Sequence, residues 1–232
     1  MTGMLASVTN VEEAMLALAA GVDIVDLKQP SSGALGALDA ALVKEIVAAI
    51  NDHCPVSATI GDLPMHPELI ADAVNAMAET GVDYIKIGFF PGDDWQGTIT
   101  TLGNLTQKNK ALIAVLFADT VVDFTVMDAL KSAGVKGVML DTMNKKNGSL
   151  TQVMKKSVIA DFVCQVKSRG LICGLAGSLK LADIPELLSF QPDYLGFRGA
   201  LCLQHERTAK LHQDAVVQVR QAIHFEGRSL AV

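Results

Sequence analysis

The chain has 232 residues, 50% of them hydrophobic and 19% charged, with a formal net charge of -6 at pH 7. That composition supports an extensive core in one domain spanning residues 1–232, and no basic run offers the electrostatic footprint of a nucleic-acid binder. No charged n-region opens the chain and no stretch of about 18 apolar residues occurs, so no membrane partner is expected and the location is read as cytoplasmic.

From end to end, short apolar β-branched runs alternate with amphipathic stretches, the pattern of parallel β/α architecture. The first predicted unit is a strand at Leu5–Val8 with a helix at Val11–Ala20. Asp23–Lys28 with Asp39–Ile50, and Val56–Gly61 with Pro67–Glu79, follow. Next come Asp83–Phe89 with Gln96–Gln107, and Leu112–Ala118 with Thr125–Ser132. Gly137–Asp141 leads into one long helix at Leu150–Arg169. Leu171–Gly174 with Ile184–Leu188, and Tyr194–Arg198 with Thr208–His224, complete the count. Eight units in a domain of this size read as a single-domain α/β TIM (β/α)8 barrel, a fold of typically about 250 residues; an open doubly wound sheet is the alternative.

A weak internal repeat supports closure. Ala20-Gly-Val-Asp23, Thr80-Gly-Val-Asp83 and Ala133-Gly-Val-Lys136 each end a helix on glycine and launch a strand. Aligning the glycines puts Asp26 and Lys86 at one height and Lys28, Gly88 and Asp141 two residues higher. Side chains alternate along a strand, so all of these face the same way. Strands 2, 4 and 6 are an alternate set that fills one layer of a barrel interior, and Arg198 at the end of strand 8 completes it.

The interior mouth is therefore expected to hold Asp26, Lys28, Lys86, Asp141 and Arg198. A structural reading makes these register-fixing salt bridges. A chemical reading is stronger, because buried charges cost several kcal/mol unless well paired. Two neighbouring ammonium groups in an apolar site lower each other's proton affinity, and a neutral lysine amine forms a Schiff base with a carbonyl. Asp141 also opens Asp-Thr-Met-Asn-Lys145, where a helical turn brings the carboxylate and Lys145 together. The bland alternative for Lys145-Lys146 is a solvated loop pair.

Gly174-Leu-Ala-Gly177-Ser178 after strand 7 and Arg198-Gly199-Ala200 after strand 8 occupy the two loops where such barrels bind phosphate. Plain turn chemistry is the alternative there. Gln29-Pro-Ser-Ser-Gly33-Ala-Leu-Gly36-Ala reads as a mobile lid, a second anion site or a flexible linker. The scattered His53, His66, His205, His212 and His224 read as surface or capping residues. Asp62, Asp119 and Asp141 lie near strand ends without metal-ligand spacing, so no metal or other cofactor is expected. Cys54, Cys164, Cys173 and Cys202 read as reduced packing residues, and Trp95 as packing. Apolar helix faces allow homo-oligomerisation.

At these residues the chain resembles the (5-formylfuran-3-yl)methyl phosphate synthase family, also called 4-(hydroxymethyl)-2-furancarboxaldehyde-phosphate synthase, of methanofuran biosynthesis. The resemblance covers nearly the full length. It rests on Leu5-Ala-Ser-Val-Thr-Asn-Val-Glu-Glu-Ala, Ala20-Gly-Val-Asp-Ile-Val-Asp-Leu-Lys28-Gln-Pro, Gly33-Ala-Leu-Gly36-Ala, Val82-Asp-Tyr-Ile-Lys86-Ile-Gly, Asp141-Thr-Met-Asn-Lys145, Gly174-Leu-Ala-Gly177-Ser and Gly196-Phe-Arg198-Gly-Ala. It implies a TIM barrel that condenses two molecules of glyceraldehyde 3-phosphate, with loss of phosphate and water, into a phosphorylated furan aldehyde. It also implies that Lys28 is the Schiff-base lysine, that Lys86 is the proton acceptor, and that Asp26, Asp141 and Lys145 are supporting charged residues. Phosphate binding by Gly177, Ser178, Arg198 and Gly199 rests more on barrel geometry than on the family. The family pattern often carries an acidic or basic residue after the Schiff-base lysine, where this chain has Gln29-Pro-Ser-Ser. Rival readings with the same residues are a class I aldolase acting on one phosphorylated sugar and a non-catalytic phosphometabolite-binding barrel.

Overall fold

The computed structural model describes residues 1–92, 94–108, 110–121 and 123–229, with side chains described up to residue 224. Its elements run β1 (Gly3–Val8), α1 (Val11–Ala19), β2 (Ile24–Leu27), α2 (Ala40–Ile50), β3 (Val56–Thr59) and α3 (Pro67–Ala78). Then come β4 (Tyr84–Gly88), α4 (Trp95–Thr106), β5 (Leu112–Phe117), α5 (Val126–Ser132) and β6 (Gly137–Asp141). The last part holds α6 (Leu150–Val153), α7 (Lys156–Ser168), β7 (Ile172–Leu175), α8 (Ile184–Leu188), β8 (Tyr194–Phe197) and α9 (Gln213–Ser229). All strand pairs are parallel, and β8 returns to β1 through Gly3↔Tyr194 to Ala6↔Phe197, closing the barrel in the order of the sequence.

The glycine-anchored turns work as their sequence suggests. Gly21, Gly81 and Gly134 adopt φ of 72°, 89° and 76°, left-handed angles that a Cβ disfavours, and each turns a helix end back onto the barrel. After Gly21 and Gly81 the aspartate two residues on then ties its strand to the previous one: Asp23 accepts the Met4 N–H and Asp83 accepts the Val56 N–H at 2.7 Å. The same helices bury an apolar stripe against the strands, with Val43, Ile46 and Ile50 of α2 and Ile70, Val74 and Met77 of α3 in the core.

Two predicted elements differ: the last helix, expected from Thr208, begins at Gln213, and the helix after β6 is broken. The expected helix at Leu150–Arg169 is two, α6 and α7, broken where Met154 adopts the extended angles φ -127° and ψ 136°. The short α6 is anchored from its N-terminus, where Ser149 and Gln152 form a reciprocal cap and Thr151 donates to Asp183 at 2.6 Å. That anchor fixes its direction to the loop after β7, so the chain must turn before α7 can lie along the barrel. No helix among the described residues is long and apolar enough to cross a membrane.

Strand alternation puts Asp26, Lys86 and Met139 in one interior layer. Register supports this: Asp26 pairs with Ser57, and Lys86 with Thr59, two residues further on. A barrel whose shear equals its strand number advances one residue per strand, so that offset places Asp26 and Lys86 at one height. Beneath them a small cavity of about 40 Å³ is lined mainly by Ile24, Tyr84, Ile113, Ile172 and Tyr194. The charged layer thus rests on a mainly apolar floor, and the large cavity above it opens at the C-terminal ends of the strands.

Candidate active site

Strands β2, β4 and β6 and the loops that follow them deliver the charged residues of the mouth. Asp26 in β2 is 0% exposed and accepts hydrogen bonds from Ser7 Oγ at 2.8 Å and Ser57 Oγ at 2.6 Å, one from each neighbouring strand. Lys86 of β4, 3% exposed, places Nζ 2.6 Å from Asp26 Oδ1. Lys28 follows β2 and is 6% exposed, with Nζ 3.8 Å from Asp141 Oδ2 at the end of β6. Lys145 lies in a 3-10 turn (Lys145–Asn147) that brings its ammonium back onto Asp141, while Asp141 also accepts the Thr142 N–H at 2.7 Å. The predicted Asp141 and Lys145 pair therefore forms, through a tighter turn than an α-helix.

Electrostatics follow from burial and these neighbours. Burial pulls Lys28 from the ordinary lysine value of 10.5 down to about 8. The Asp141 carboxylate opposes that fall, and the ammonium groups of Lys145 and Lys86 reinforce it. For Asp141 burial acts the other way, yet Lys145 and Lys28 and the Thr142 N–H hold it down to about 2. Asp26 likewise stays below the ordinary carboxylate range despite burial, because Lys86 and Lys28 face it. The site thus fixes two carboxylates as anions and leaves one lysine close to neutrality.

The loops above this layer are ordered by specific bonds. Asp62 accepts the N–H groups of Ala34 and Leu35, both at 2.7 Å, and Gln29 N–H donates to Gly36 C=O at 2.7 Å. Leu35, 1% exposed, packs with Phe117, Met139 and Ala176 inside the mouth. Gly88 makes that insertion possible, since a Cβ there would lie 2.6 Å from the Phe90 ring and 2.8 Å from Leu35. The Gly33–Gly36 segment is therefore a pinned apolar cover beside Lys28. Asp119 accepts the Met143 and Asn144 N–H groups at 2.6 and 2.7 Å, so it fastens the loop that carries Lys145. Asp62, Asp119 and Asp141 point to different partners and do not converge. Among the described residues no group of three or more His, Cys, Asp and Glu could hold a metal ion.

After β7, Gly177 adopts φ 108° and Ser178 φ 48°. A Cβ on Gly177 would come 2.8 Å from Thr142 Cγ2, so glycine lets this loop pack against the one after β6. The N–H groups of Gly177, Ser178 and Leu179 have no acceptor among the described residues and lie on the wall of an open cavity of about 940 Å³. Gly199 opens a 3-10 turn (Gly199–Leu201) on the same wall. Lys28, Lys86, Asp26, Asp141 and Lys145 all line that cavity.

Arg198 reaches the wall too, but its guanidinium is committed elsewhere. Nη1 is 2.6 Å from Glu13 Oε2 and 3.1 Å from Ser7 C=O, Nη2 donates to Glu13 Oε1 and Ala209 C=O, and Nε donates to Arg207 C=O. All five N–H donors are taken, so the side chain expected to meet phosphate has none to offer. Sequence reasoning missed Glu13, its buried partner. Its signal was the phase of α1, which buries Glu13 with Ala14 and Ala17 while leaving Glu12 exposed. It also missed Arg207, a cavity-lining cation after β8 that no motif marks.

The family model of 4-HFC-P synthase matches residues 4–220. The chain belongs to that family. A protein of Methylorubrum extorquens provisionally named a (5-formylfuran-3-yl)methyl phosphate synthase is 40% identical over 226 residues, covering 97% of this chain and 93% of that one. The (5-formylfuran-3-yl)methyl phosphate synthase of Methanocaldococcus jannaschii is 34% identical over 230 residues, covering 94% and 98%. Family membership makes the chain an enzyme of the synthase kind. Among solved structures, phosphoribosyl anthranilate isomerase from Thermotoga maritima superposes with a TM-score of 0.70 at 14% identity, over 97% of this chain and 100% of that one. The 3-hexulose-6-phosphate synthase from Salmonella typhimurium gives 0.69 at 14%, with the same coverage. At that identity they share the fold alone.

Proposed function

We propose that this enzyme joins two molecules of glyceraldehyde 3-phosphate into (5-formylfuran-3-yl)methyl phosphate through a Schiff base on Lys28, releasing one phosphate and two waters, for biosynthesis of a methanofuran-type cofactor. The observation that carries this reading is Lys28 itself. It is a buried amine with a pKa lowered to about 8, on the wall of a cavity of about 940 Å³. That volume falls in the range of small-molecule sites, roughly 300–1,000 Å³, and has room for two triose phosphates.

Each residue has a task in the scheme. Neutral Lys28 adds to the carbonyl of the first triose phosphate and expels water, and the protonated imine draws electrons from the adjacent carbon. Lys86, whose Nζ lies 2.6 Å from Asp26 Oδ1, exchanges the proton of that carbon. The enamine attacks the aldehyde of the second triose, forming the new C–C bond. Loss of phosphate and dehydration then close and aromatise the furan ring, with Asp141 and Lys145 placed to carry protons, and hydrolysis of the imine returns Lys28. The free N–H groups of Gly177, Ser178 and Leu179 are suited to receive a phosphate on the β7 side, with Gly199 at its border.

The test is reductive trapping followed by mass spectrometry. With glyceraldehyde 3-phosphate alone the native enzyme should give a furan ultraviolet chromophore, free phosphate and a reduced adduct on Lys28, and Lys28→Arg should give none of them. A simple aldol product, or equal adduct on Lys28→Arg, would end the proposal.

A further inference from the structure

The mouth contains a cation that the scheme above does not use. Arg207 follows β8, is half-buried and lines the cavity. One of its Nη2 protons donates to Gly33 C=O, 2.9 Å away in the loop that follows Lys28. No other hydrogen-bond acceptor for this guanidinium is found among the described residues; the carboxylates of Asp141 and Asp62 attract it through space, and the side chain lines the cavity.

Arg207 is also held in place. Its own C=O accepts from Arg198 Nε at 2.8 Å, Ala209 C=O accepts from Arg198 Nη2 at 2.8 Å, and the Leu211 N–H donates to Glu13 Oε1 at 3.1 Å. The buried pair of Glu13 and Arg198 thereby fixes segment 207–211 at three points. A Cβ on Gly199 would lie 4.0 Å from the Arg207 Cβ, so Arg207 starts beside the turn after β8 and reaches back toward β2. A half-buried guanidinium with a rigid base and unused donors suits an anion with several oxygens, and a phosphomonoester matches the fork with two parallel N–H···O bonds.

We propose that Arg207 is a phosphate-binding residue on the β8 side of the mouth, its ligand a phosphomonoester of the substrate. Its guanidinium reaches the Gly33 carbonyl after β2 while the backbone donors follow β7, so the mouth offers two anion sites in one cavity. The identity of the substrate rests on the function proposed above; the phosphate chemistry rests on Arg207. Its bond to Gly33 also joins the phosphate contact to the cover beside Lys28.

The experiment uses sn-glycerol 3-phosphate, which has the phosphate but no carbonyl, so imine formation plays no part in its binding. Isothermal titration should show two phosphate sites on the native enzyme, one of them weakened tenfold or more in Arg207→Met and weakened less in Arg207→Lys, which keeps charge but loses the fork. Circular dichroism should be unchanged, and trapping of unphosphorylated glyceraldehyde on Lys28 should proceed as in the native enzyme. Equal affinity in Arg207→Met, or no binding to the native enzyme at millimolar concentration, overturns the assignment. Failure of trapping with phosphate binding intact would instead count against the Schiff base.

Discussion

Lys145→Met isolates the electrostatic account of Lys28. With a pKa of about 8 instead of 10.5, roughly one Lys28 in ten is neutral at pH 7, against about one in three thousand for an ordinary lysine. Holding the ammonium form in this site therefore costs about 3 kcal/mol. Lys145 contributes in two ways with the same sign: its charge repels that of Lys28, and it occupies Asp141, whose other oxygen is 3.8 Å from Lys28. Removing it should raise the Lys28 pKa by about one, equivalent to about 1.4 kcal/mol. Trapping by cyanoborohydride and glyceraldehyde 3-phosphate, followed by mass spectrometry from pH 6 to 10, should then slow about tenfold at pH 7 and recover near pH 9. A midpoint that stays put or moves down refutes the reasoning. A lower amplitude with an unchanged midpoint would mean that Lys145 binds substrate and does not tune Lys28.

Lys28→Met should be inactive yet more stable at pH 7 by about 1–3 kcal/mol, because a buried charge is replaced by an apolar chain of similar volume while Asp141 keeps Lys145. The sign can be checked by pH. The folded pKa is depressed, so the unfolded chain binds the extra proton between about pH 8 and 10.5, and native stability gains up to about 3 kcal/mol across that window. Urea midpoints at pH 7 and 10 should show this gain in the native enzyme and not in Lys28→Met. Glu13→Gln should cost about 3–5 kcal/mol in the same assay, since it leaves the buried Arg198 charge without its partner. A loss under 1 kcal/mol would show that the remaining carbonyl acceptors are sufficient.

The sequence and the structure agree most where a local rule leaves few choices. A lysine in an apolar alternating strand is conspicuous, and the repeated Gly-Val turn supplied a common origin from which the inward phase of Asp26, Lys86 and Asp141 could be counted. The fold was legible for the same reason, since each strand and each helix announces its own period. Contacts between distant segments were not legible. Arg198 has the inward phase expected of it, but its partner Glu13 lies 185 residues away and was read only as part of a helix start. Nothing local to Arg207 announces that its chain crosses to Gly33. The break at Met154 escaped because apolar periodicity continues through it, while the cause, Asp183 holding Thr151, lies on another loop. Gly33–Gly36 looked mobile because glycine and serine favour loops, and its anchor Asp62 comes after the next strand.

The density of cations at this mouth has a second consequence for the proposed chemistry. A phosphate dianion near Lys28 would raise its proton affinity, restoring the ammonium form just when the carbonyl arrives. At an effective dielectric constant near 20, a single negative charge about 6 Å away is worth roughly 3 kcal/mol, enough to undo the whole depression. An enzyme for two phosphorylated aldehydes must therefore keep each phosphate at a distance and neutralise its field. In the arrangement proposed here the β7 loop donors hold one phosphate, and Arg207, reaching toward the loop after β2, holds the other. Lys145 and Lys86 remain beside Lys28 to keep the local balance positive. On this argument an acidic protein concentrates cations at its mouth for more than attraction. They also hold down the proton affinity of one lysine while its substrates bring negative charge beside it.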